Sequence, residues 1–490
     1  MSTTKRRTIS GFLWQVVGLL AQNGTAFLAT IVLARFLSKE DFGVIAIAIG
    51  TVQFCEMLRY GGITQAFVAY HGDEEAARHT AFWLSVIPGV LFTLALIFLA
   101  PFAAVFFDAP ILSPILTVLA FTHLIDSFRI VPHSTLLRQE RLREKAIAEA
   151  IPFILSAVIA IVAAIVLPPQ SRVWALVAMY FARYLGIALL FNIFSPYLPK
   201  FSYSREIGKI LATRGLAILL SNIPASSLEQ INFVILGKRI GEGGVGLFRM
   251  AWNVTTPTSV IAHAANWTLF RPIAVAAHEN AEKLQSIFLR SLRAISLLST
   301  ATLTWLILVA QDLVPLLLGP NWNDAITPAK WLCFAVLVRT FTYICTNAMQ
   351  ASGVPQYASI TWWITFFMGI ALLSFYPMLP GDALTPSVIT AVFYAVSGML
   401  ALTLAAFAFR ISFLSVVEAL LPSIIACGLA SLASAAVLYS KVFDAMPLVR
   451  LLVVSLVYAF VFLPLCGRMM GIGYKALFRP SGWKEMLRAT

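Results

Sequence analysis

Three arginines, Arg183, Arg249 and Arg339, stand well inside long apolar runs, and each has polar neighbours. Arg339, Tyr343, Asn347 and Gln350 fall at i, i+4, i+8 and i+11 and so share one face of a helix. The same spacing groups Arg249 with Asn253 and Thr256, and Asn222 with Ser226, Glu229 and Gln230. Glu56 joins Gln53 and Tyr60 beside Arg59, and Asp126 joins His123 beside Arg129. A guanidinium offers its donors in a planar fork that matches phosphate, and it does not shed its charge to escape a membrane. Arg249, Arg339, Arg59, Arg129, Arg183, Asn253, Tyr343 and Asn347 are therefore the candidate ligand-binding residues, suited to an anionic, phosphate-bearing headgroup. Glu56, Asp126 and Glu229 are candidate cation-coupling groups, since a carboxylate at such depth binds H⁺ or Na⁺. In the alternative reading they neutralise arginines at i, i+3 spacing. Polar groups within spans also serve as glue between helices, but this many charges on matching faces favour a shared hydrophilic cavity.

The elements that must carry these residues are membrane helices. Of 490 residues, 60% are hydrophobic and only 12% charged. A mean hydropathy of +0.86 excludes an ordinary soluble domain. Most apolar runs reach the roughly 20 residues that a helix needs to cross about 30 Å of hydrocarbon, whereas a barrel would show short alternating strands. The expected fold is an all-α integral membrane protein. Six spans are read near 11–34, 42–60, 80–107, 110–131, 146–167 and 173–195. Six more follow near 211–236, 244–268, 287–310, 329–350, 359–379 and 384–409, with a last pair near 413–439 and 447–467, fourteen in all. The first run is too long for a secretory signal core and shows no clear cleavage site, so it is read as a retained span.

Most of the 35 Lys and Arg fall on one side if the N-terminus is cytoplasmic, and an even span count then leaves both termini there. Basic segments such as "RQERLREK" (138–145) and "KFSYSREIGKILATR" (200–214) meet the anionic inner leaflet, so the net charge of +13 calls for no nucleic acid. The chain also repeats itself. "LARFLSKEDFGVIAIA" (33–48) and "LGKRIGEGGVGLFRMA" (236–251) align with Gly43 on Gly246, Leu37 on Ile240 and Ala48 on Ala251. The same register lays Asn23 on Ser226 and Ala26 on Glu229. This reads as two six-helix lobes of equal orientation, 1–200 and 201–410, related by an axis along the membrane normal. An extra helix pair at 411–470 and a basic amphipathic cytoplasmic tail at 471–490 complete the expected organisation.

Several chemistries are excluded. The five cysteines lie in or at the ends of apolar segments without C-x-x-C spacing, and the six histidines form no ligand pair, so no metal site or disulfide is expected. No phosphate-cradling Gly loop or ATPase motif is present, and no cofactor is expected. Connections are short, and the one acidic cluster, "HGDEEAARH" (71–79), reads as a solvated turn. A membrane glycosyltransferase or polymerase would carry its catalytic residues on a larger loop, so the chain is read as a transporter and not an enzyme.

Four ordered segments carry a family likeness: "ARFLSKEDFGVIAIA" (34–48), "VWALVAMYFAR" (173–183), "NFVILGKRIGEGGVGLFRMAW" (232–252) and "LLLGPNWNDAITPAKWL" (316–332). Together they resemble the polysaccharide exporters of the multidrug/oligosaccharidyl-lipid/polysaccharide (MOP) superfamily, and most closely the Wzx-type flippases of lipid-linked repeat units. The resemblance implies a MATE-like, V-shaped pair of lobes in the bacterial inner membrane. It implies an undecaprenyl-pyrophosphate-linked oligosaccharide as cargo, moved from the cytoplasmic to the periplasmic leaflet for exopolysaccharide, capsule or lipopolysaccharide synthesis. Membrane lipids, H⁺ or Na⁺, and a polysaccharide polymerase or glycosyltransferases are the partners that follow. Arg249 falls in the family's "GLFRMA" segment. The family often has an acidic residue where this chain has Asn232, which weakens cation coupling there and leaves Glu229 to take over. The rival expectation is a drug or cation antiporter of the same superfamily, against which the arginines argue.

Overall fold

The computed structural model describes residues 3–60, 62–440 and 446–469, with the side chains of 3–13, Tyr60, Ser221, Asn222, 256–272, His278 and 467–469 left out. The expected basic tail at 471–490, and the side chains of Tyr60, Asn222 and Thr256, lie outside what is described. Among the described residues the elements are helices: α1 (Thr3–Leu33), α2 (Lys39–Tyr60), α3 (Ile63–Val68), α4 (Glu74–Phe106), α5 (Leu112–Ser127), α6 (Ile130–Arg138), α7 (Leu142–Val166), α8 (Val173–Phe194), α9 (Arg205–Glu279), α10 (Ala281–Leu318), α11 (Ile326–Ala351), α12 (Pro355–Phe375), α13 (Leu384–Ala408), α14 (Phe413–Tyr439) and α15 (Pro447–Met469). Two short 3₁₀ turns sit before α8 and α11.

The all-α membrane fold is as the composition predicts. Among the described residues 11 helical segments are long and apolar enough to cross a membrane, or up to 12 if α5 and α6, bent by 41° at a short break, form one span. The spans expected at 211–236 and 244–268 both fall in α9, which is two helices joined across a backbone break at Gly241 (φ 72°, ψ 174°). Ser226, Ser227, Glu229, Gln230 and Asn232 crowd its first half with polar groups.

The chain divides into two compact units: Met1–Arg249 with Ile370–Ala383, and Met250–Gly369 with Leu384–Thr490. In the first, α1 packs on α7, α7 on α8, α4 on α5 and α5 on α8. A core of Phe67, Ala77, Ala81, Phe82, Val131 and Leu211 draws α3, α4, α6 and the start of α9 together. In the second, α11 packs on α13, and α10 on α11 and α14, around Phe288, Leu292, Cys345, Met349, Ala401 and Ala405. The abundance of Ala in both cores lets helix backbones approach closely, the main source of helix association in lipid.

The charged turn before α2 is a helix start. The Asp41 side chain accepts from the Ser38 backbone N–H at 2.9 Å, and the Ser38 hydroxyl oxygen accepts from the Asp41 N–H at 3.2 Å. This reciprocal box satisfies two donors that the first turn leaves without partners. Arg172 donates to the Phe36 carbonyl at 3.0 Å and closes the end of α1. The acidic cluster before α4 does similar work: Asp73 caps the helix by accepting from the Ala76 N–H at 3.1 Å, and Glu74 and Glu75 sit in its first turn, where the helix dipole favours negative charge.

The two segments that align in the sequence, 33–48 and 236–251, meet. A Cβ added to Gly43 would fall well inside the contact radius of the Glu242 carbonyl oxygen, and a Cβ on Gly246 would strike the carbonyl oxygen of Lys39. The register that lays Gly43 on Gly246 also lays Lys39 on Glu242, so the two contacts are exchanged by the repeat. Glu40 lies against Gly243 in the same crossing. Burial, together with the nearby Glu40 and Asp41 carboxylates, pushes the Glu242 carboxyl up from its ordinary range.

In the second unit a polar seam fastens the C-terminal helices to α10. Ser296 shares a hydrogen bond with Ser423 at 2.5 Å, Thr304 with Tyr458 at 2.5 Å, and the Trp305 indole donates to Ser455 at 2.9 Å. At its far end Arg450 grips Asp312 through Nε, at 2.9 Å to Oδ2, and through Nη2 to Oδ1. Asp312 is buried. Removing one partner of a buried pair strands the other charge and costs about 3–5 kcal/mol. Asp312→Ala is accordingly expected to lower the thermal midpoint in detergent sharply, while Asp312→Ala with Arg450→Leu recovers part of the loss. Equal midpoints for wild type and Asp312→Ala would show that the pair is not structural.

Candidate substrate-binding site

Each unit carries its own set of the predicted residues. In the first, α2, α5 and the turn into α6 bring three of them, Arg59, Asp126 and Arg129, into one network. Arg59 is buried on α2 and gives Nη2 to Asp126 and Nη1 to the Ser127 hydroxyl at 3.2 Å. Arg129, just before α6, gives Nε to the other oxygen of Asp126 at 2.7 Å. Asp126 thus serves two guanidiniums at once and holds both in fixed orientations. Glu56, one turn before Arg59, does not take that role. It accepts a hydrogen bond from the Tyr184 hydroxyl of α8 at 2.6 Å.

Two more arginines of this unit lie over aromatic rings. The Arg183 guanidinium stands 4.0 Å from the Phe153 ring centroid and 5.0 Å from that of Tyr180, and Arg249 stands 4.8 Å from Phe233. Such placement stabilises the cation through the ring quadrupole where water is scarce. Glu229 lies half-buried on α9. Asn232 and Gln230 are more telling, because the buried side-chain carbonyl oxygens of both lack a hydrogen-bond partner among the described residues. An amide so placed is a ready contact for a hydroxyl-bearing ligand or for water.

This unit also holds a cavity of about 330 Å³ between the α2–α3 turn, α6 and α9, with Thr64, Gln65, Arg129, His133 and Ser226 as its polar lining. Its wall depends on Gly62, whose positive φ of 67° turns the chain between α2 and α3 and whose missing Cβ leaves room for Gly215 and Ile218 of α9. His133 stands at i+4 from Arg129 and so shares its face of the helix, a spacing that the sequence alone makes legible.

In the second unit Arg339 is surrounded by aromatics. Its guanidinium lies 5.5 Å from the Trp252 ring, 5.2 Å from Tyr343 and 5.4 Å from Tyr394, and Nη2 donates to the Tyr343 hydroxyl at 3.0 Å. Trp362 extends the platform, 5.0 Å from Tyr343. Asn347 is half-buried one turn further along α11. Asn253 reaches the Met250 sulfur, at 4.0 Å. Rings flanking a fixed cation suit a sugar, whose apolar face stacks while its hydroxyls find the polar edges. Trp252, Tyr394 and Trp362 come from other helices than Arg339, so no spacing rule could connect them to it. Among the described residues no group of three His, Cys, Asp or Glu side chains is placed to hold a metal ion.

The family described as "Polysaccharide biosynthesis protein" matches residues 32–327. The succinoglycan biosynthesis transport protein ExoT of Rhizobium meliloti (strain 1021) is 25% identical over 354 residues, 71% of this chain and 70% of that protein. The lipopolysaccharide biosynthesis protein WzxC of Escherichia coli (strain K12) is 22% identical over 342 residues, 69% of this chain and 68% of that protein. Among solved structures, the lipid II flippase MurJ in an inward closed conformation superposes with a TM-score of 0.71 at 13% identity, over 94% of this chain and 99% of that one. An inward-facing multidrug resistance MATE family transporter of the MOP superfamily gives a TM-score of 0.65 at 19% identity, over 79% and 94%. At such identities the likeness is one of fold.

Proposed function

The chain belongs to the polysaccharide biosynthesis protein family, and from that premise we propose that it is a Wzx-type flippase moving undecaprenyl-pyrophosphate-linked oligosaccharide repeat units across the bacterial inner membrane. The cargo's headgroup passes from the cytoplasmic to the periplasmic leaflet by alternating access while its polyprenyl tail stays in lipid, and both termini of the protein are cytoplasmic. The observation that carries this reading is the set of guanidiniums inside apolar helices, several over aromatic rings, in a chain whose relatives are named for succinoglycan transport and lipopolysaccharide biosynthesis. A cationic drug would meet the wrong charge there. The membrane potential helps: at about 2.3 kcal/mol per charge per 100 mV, an inside-negative potential favours outward passage of an anionic headgroup.

Coupling to H⁺ or Na⁺ is assigned to Glu56, with Glu229 as the second candidate. Asp126 is already engaged by two arginines, whereas Glu56 is held by a neutral tyrosine hydroxyl and can change charge without breaking an ion pair.

The test is mass spectrometry of polyprenyl-linked saccharides from cells lacking the protein, with competing glycan pathways removed. A completed lipid-linked repeat unit is expected to accumulate and to disappear when the gene is restored. Arg249→Gln and Arg339→Gln are each expected to reproduce the accumulation at normal protein level. No accumulation with glycan output intact would overturn the flippase reading in favour of a drug or cation antiporter.

A further inference from the structure

We propose that the cavity beside α6 is the subsite for the cargo's diphosphate, with Arg129 and His133 as its anchoring donors. This rests on the flippase reading and assigns to one place what composition left spread over five arginines. Arg129 and His133 lie on one face of the chain entering α6, and both border the same cavity of about 330 Å³. Thr64, Gln65 and Ser226 supply further donors around it, and no carboxylate is among its lining residues. That excludes a cation as occupant and favours an anion.

His133 supplies the independent sign of a ligand. Its Nε2 is buried and has no hydrogen-bond partner among the described residues. A buried imidazole nitrogen left without a partner costs about 1–3 kcal/mol until something pairs with it, and in the tautomer with the proton on Nε2 an anionic oxygen is the partner that fits. The imidazole is not loose, because it stands edge-on to the Phe191 ring, with centroids 5.1 Å apart at 81°. Phe191 is fully buried and also lies under the Arg129 guanidinium, 5.9 Å from its centroid. One ring therefore steadies both donors, while Asp126 fixes the guanidinium from the other side through Nε. Preset donors lose little freedom on binding, which is what makes an anion site tight.

Of the three parts of the cargo, the polyprenyl tail lacks acceptors for these donors. The glycan presents donors and acceptors in equal measure and gains nothing from a wall without carboxylates. The diphosphate is compact, acceptor-only when ionised, and matches both guanidinium and imidazole N–H. Gln65 and Ser226 are exposed, so the cavity opens on their side.

The experiment measures binding of farnesyl diphosphate, with farnesol as the uncharged control, to the purified full-length chain in detergent. Farnesyl diphosphate is expected to bind, and His133→Leu to weaken it at least about tenfold, as loss of a hydrogen bond to a charged group does. His133→Gln should stay within about threefold of wild type, because its amide N–H reaches the place of Nε2–H, and farnesol binding should not change in either. Should His133→Leu fail to fold, Gln65→Leu at the exposed mouth is expected to give a smaller but measurable loss for the diphosphate alone. Unchanged diphosphate affinity in these variants, or no binding to a wild-type chain that still clears the accumulated lipid-linked saccharide, would overturn the subsite and leave the flippase reading standing. Failure of that reading shows separately, as absence of accumulation in the deletion strain.

Discussion

Gly43→Ala is expected to cut export at least about tenfold, chiefly by keeping the chain from reaching its native packing. A single methyl group is a small change, and in most helix positions it is neutral or helpful. Here the group it meets is the Glu242 carbonyl oxygen, part of another helix's backbone. A side chain in the way can change rotamer, at a cost of about 1–3 kcal/mol. A carbonyl engaged in a helix cannot turn aside without giving up its hydrogen bond. The reciprocal substitution, Gly246→Ala, runs into the Lys39 carbonyl and should match it in size. Gly24→Ala and Gly428→Ala are the controls, since a Cβ at either meets nothing within 4 Å. Membrane level by immunoblot and restored glycan output together give the readout. Wild-type level and output for Gly43→Ala would mean that the crossing is looser than its geometry states.

The second large effect is expected at Asp126. Its carboxylate is the common counter-charge of Arg59 and Arg129, and the Arg59 side chain is entirely shielded from solvent. Asp126→Ala takes the counter-charge from two guanidiniums at once, and an expected loss of about 3–5 kcal/mol is a large share of the roughly 5–15 kcal/mol that holds a typical fold together. Asp126→Asn keeps the shape and one acceptor and should fall between. Arg59→Leu added to Asp126→Ala should restore part of the stability, because it removes the stranded charge. Thermal midpoints by size-exclusion chromatography in detergent measure all four proteins. A double variant no better than Asp126→Ala alone would place the cost in lost packing.

The same region shows what a sequence can disclose. An i, i+3 rule offers Asp126 to Arg129 and Glu56 to Arg59 alike. The first pair forms, but Arg59 crosses to Asp126 and Glu56 turns to Tyr184. Proximity along one helix is legible, whereas competition from a neighbouring helix is not. The Ser38–Asp41 box is legible in the sequence, since S-x-x-D before an apolar run is a helix-start signature. His133 was equally within reach by the face test applied to Arg339. Trp252 and Tyr394 beside Arg339 depend on helices whose pairing no local pattern records. Between the spans expected at 211–236 and 244–268 the chain breaks at Gly241, whose φ of 72° suits a glycine, so this break was legible in the sequence.

The α10–α15 seam carries a consequence for the order of synthesis. Asp312 and Arg450 are 138 residues apart, and at roughly 5–20 residues per second the arginine emerges about 7–28 s after the aspartate. During that interval α10 carries, near its C-terminal end, a carboxylate whose eventual counter-charge does not yet exist. The last helix is therefore what completes α10, and a ribosome that stops after α14 releases a chain whose tenth helix is still waiting.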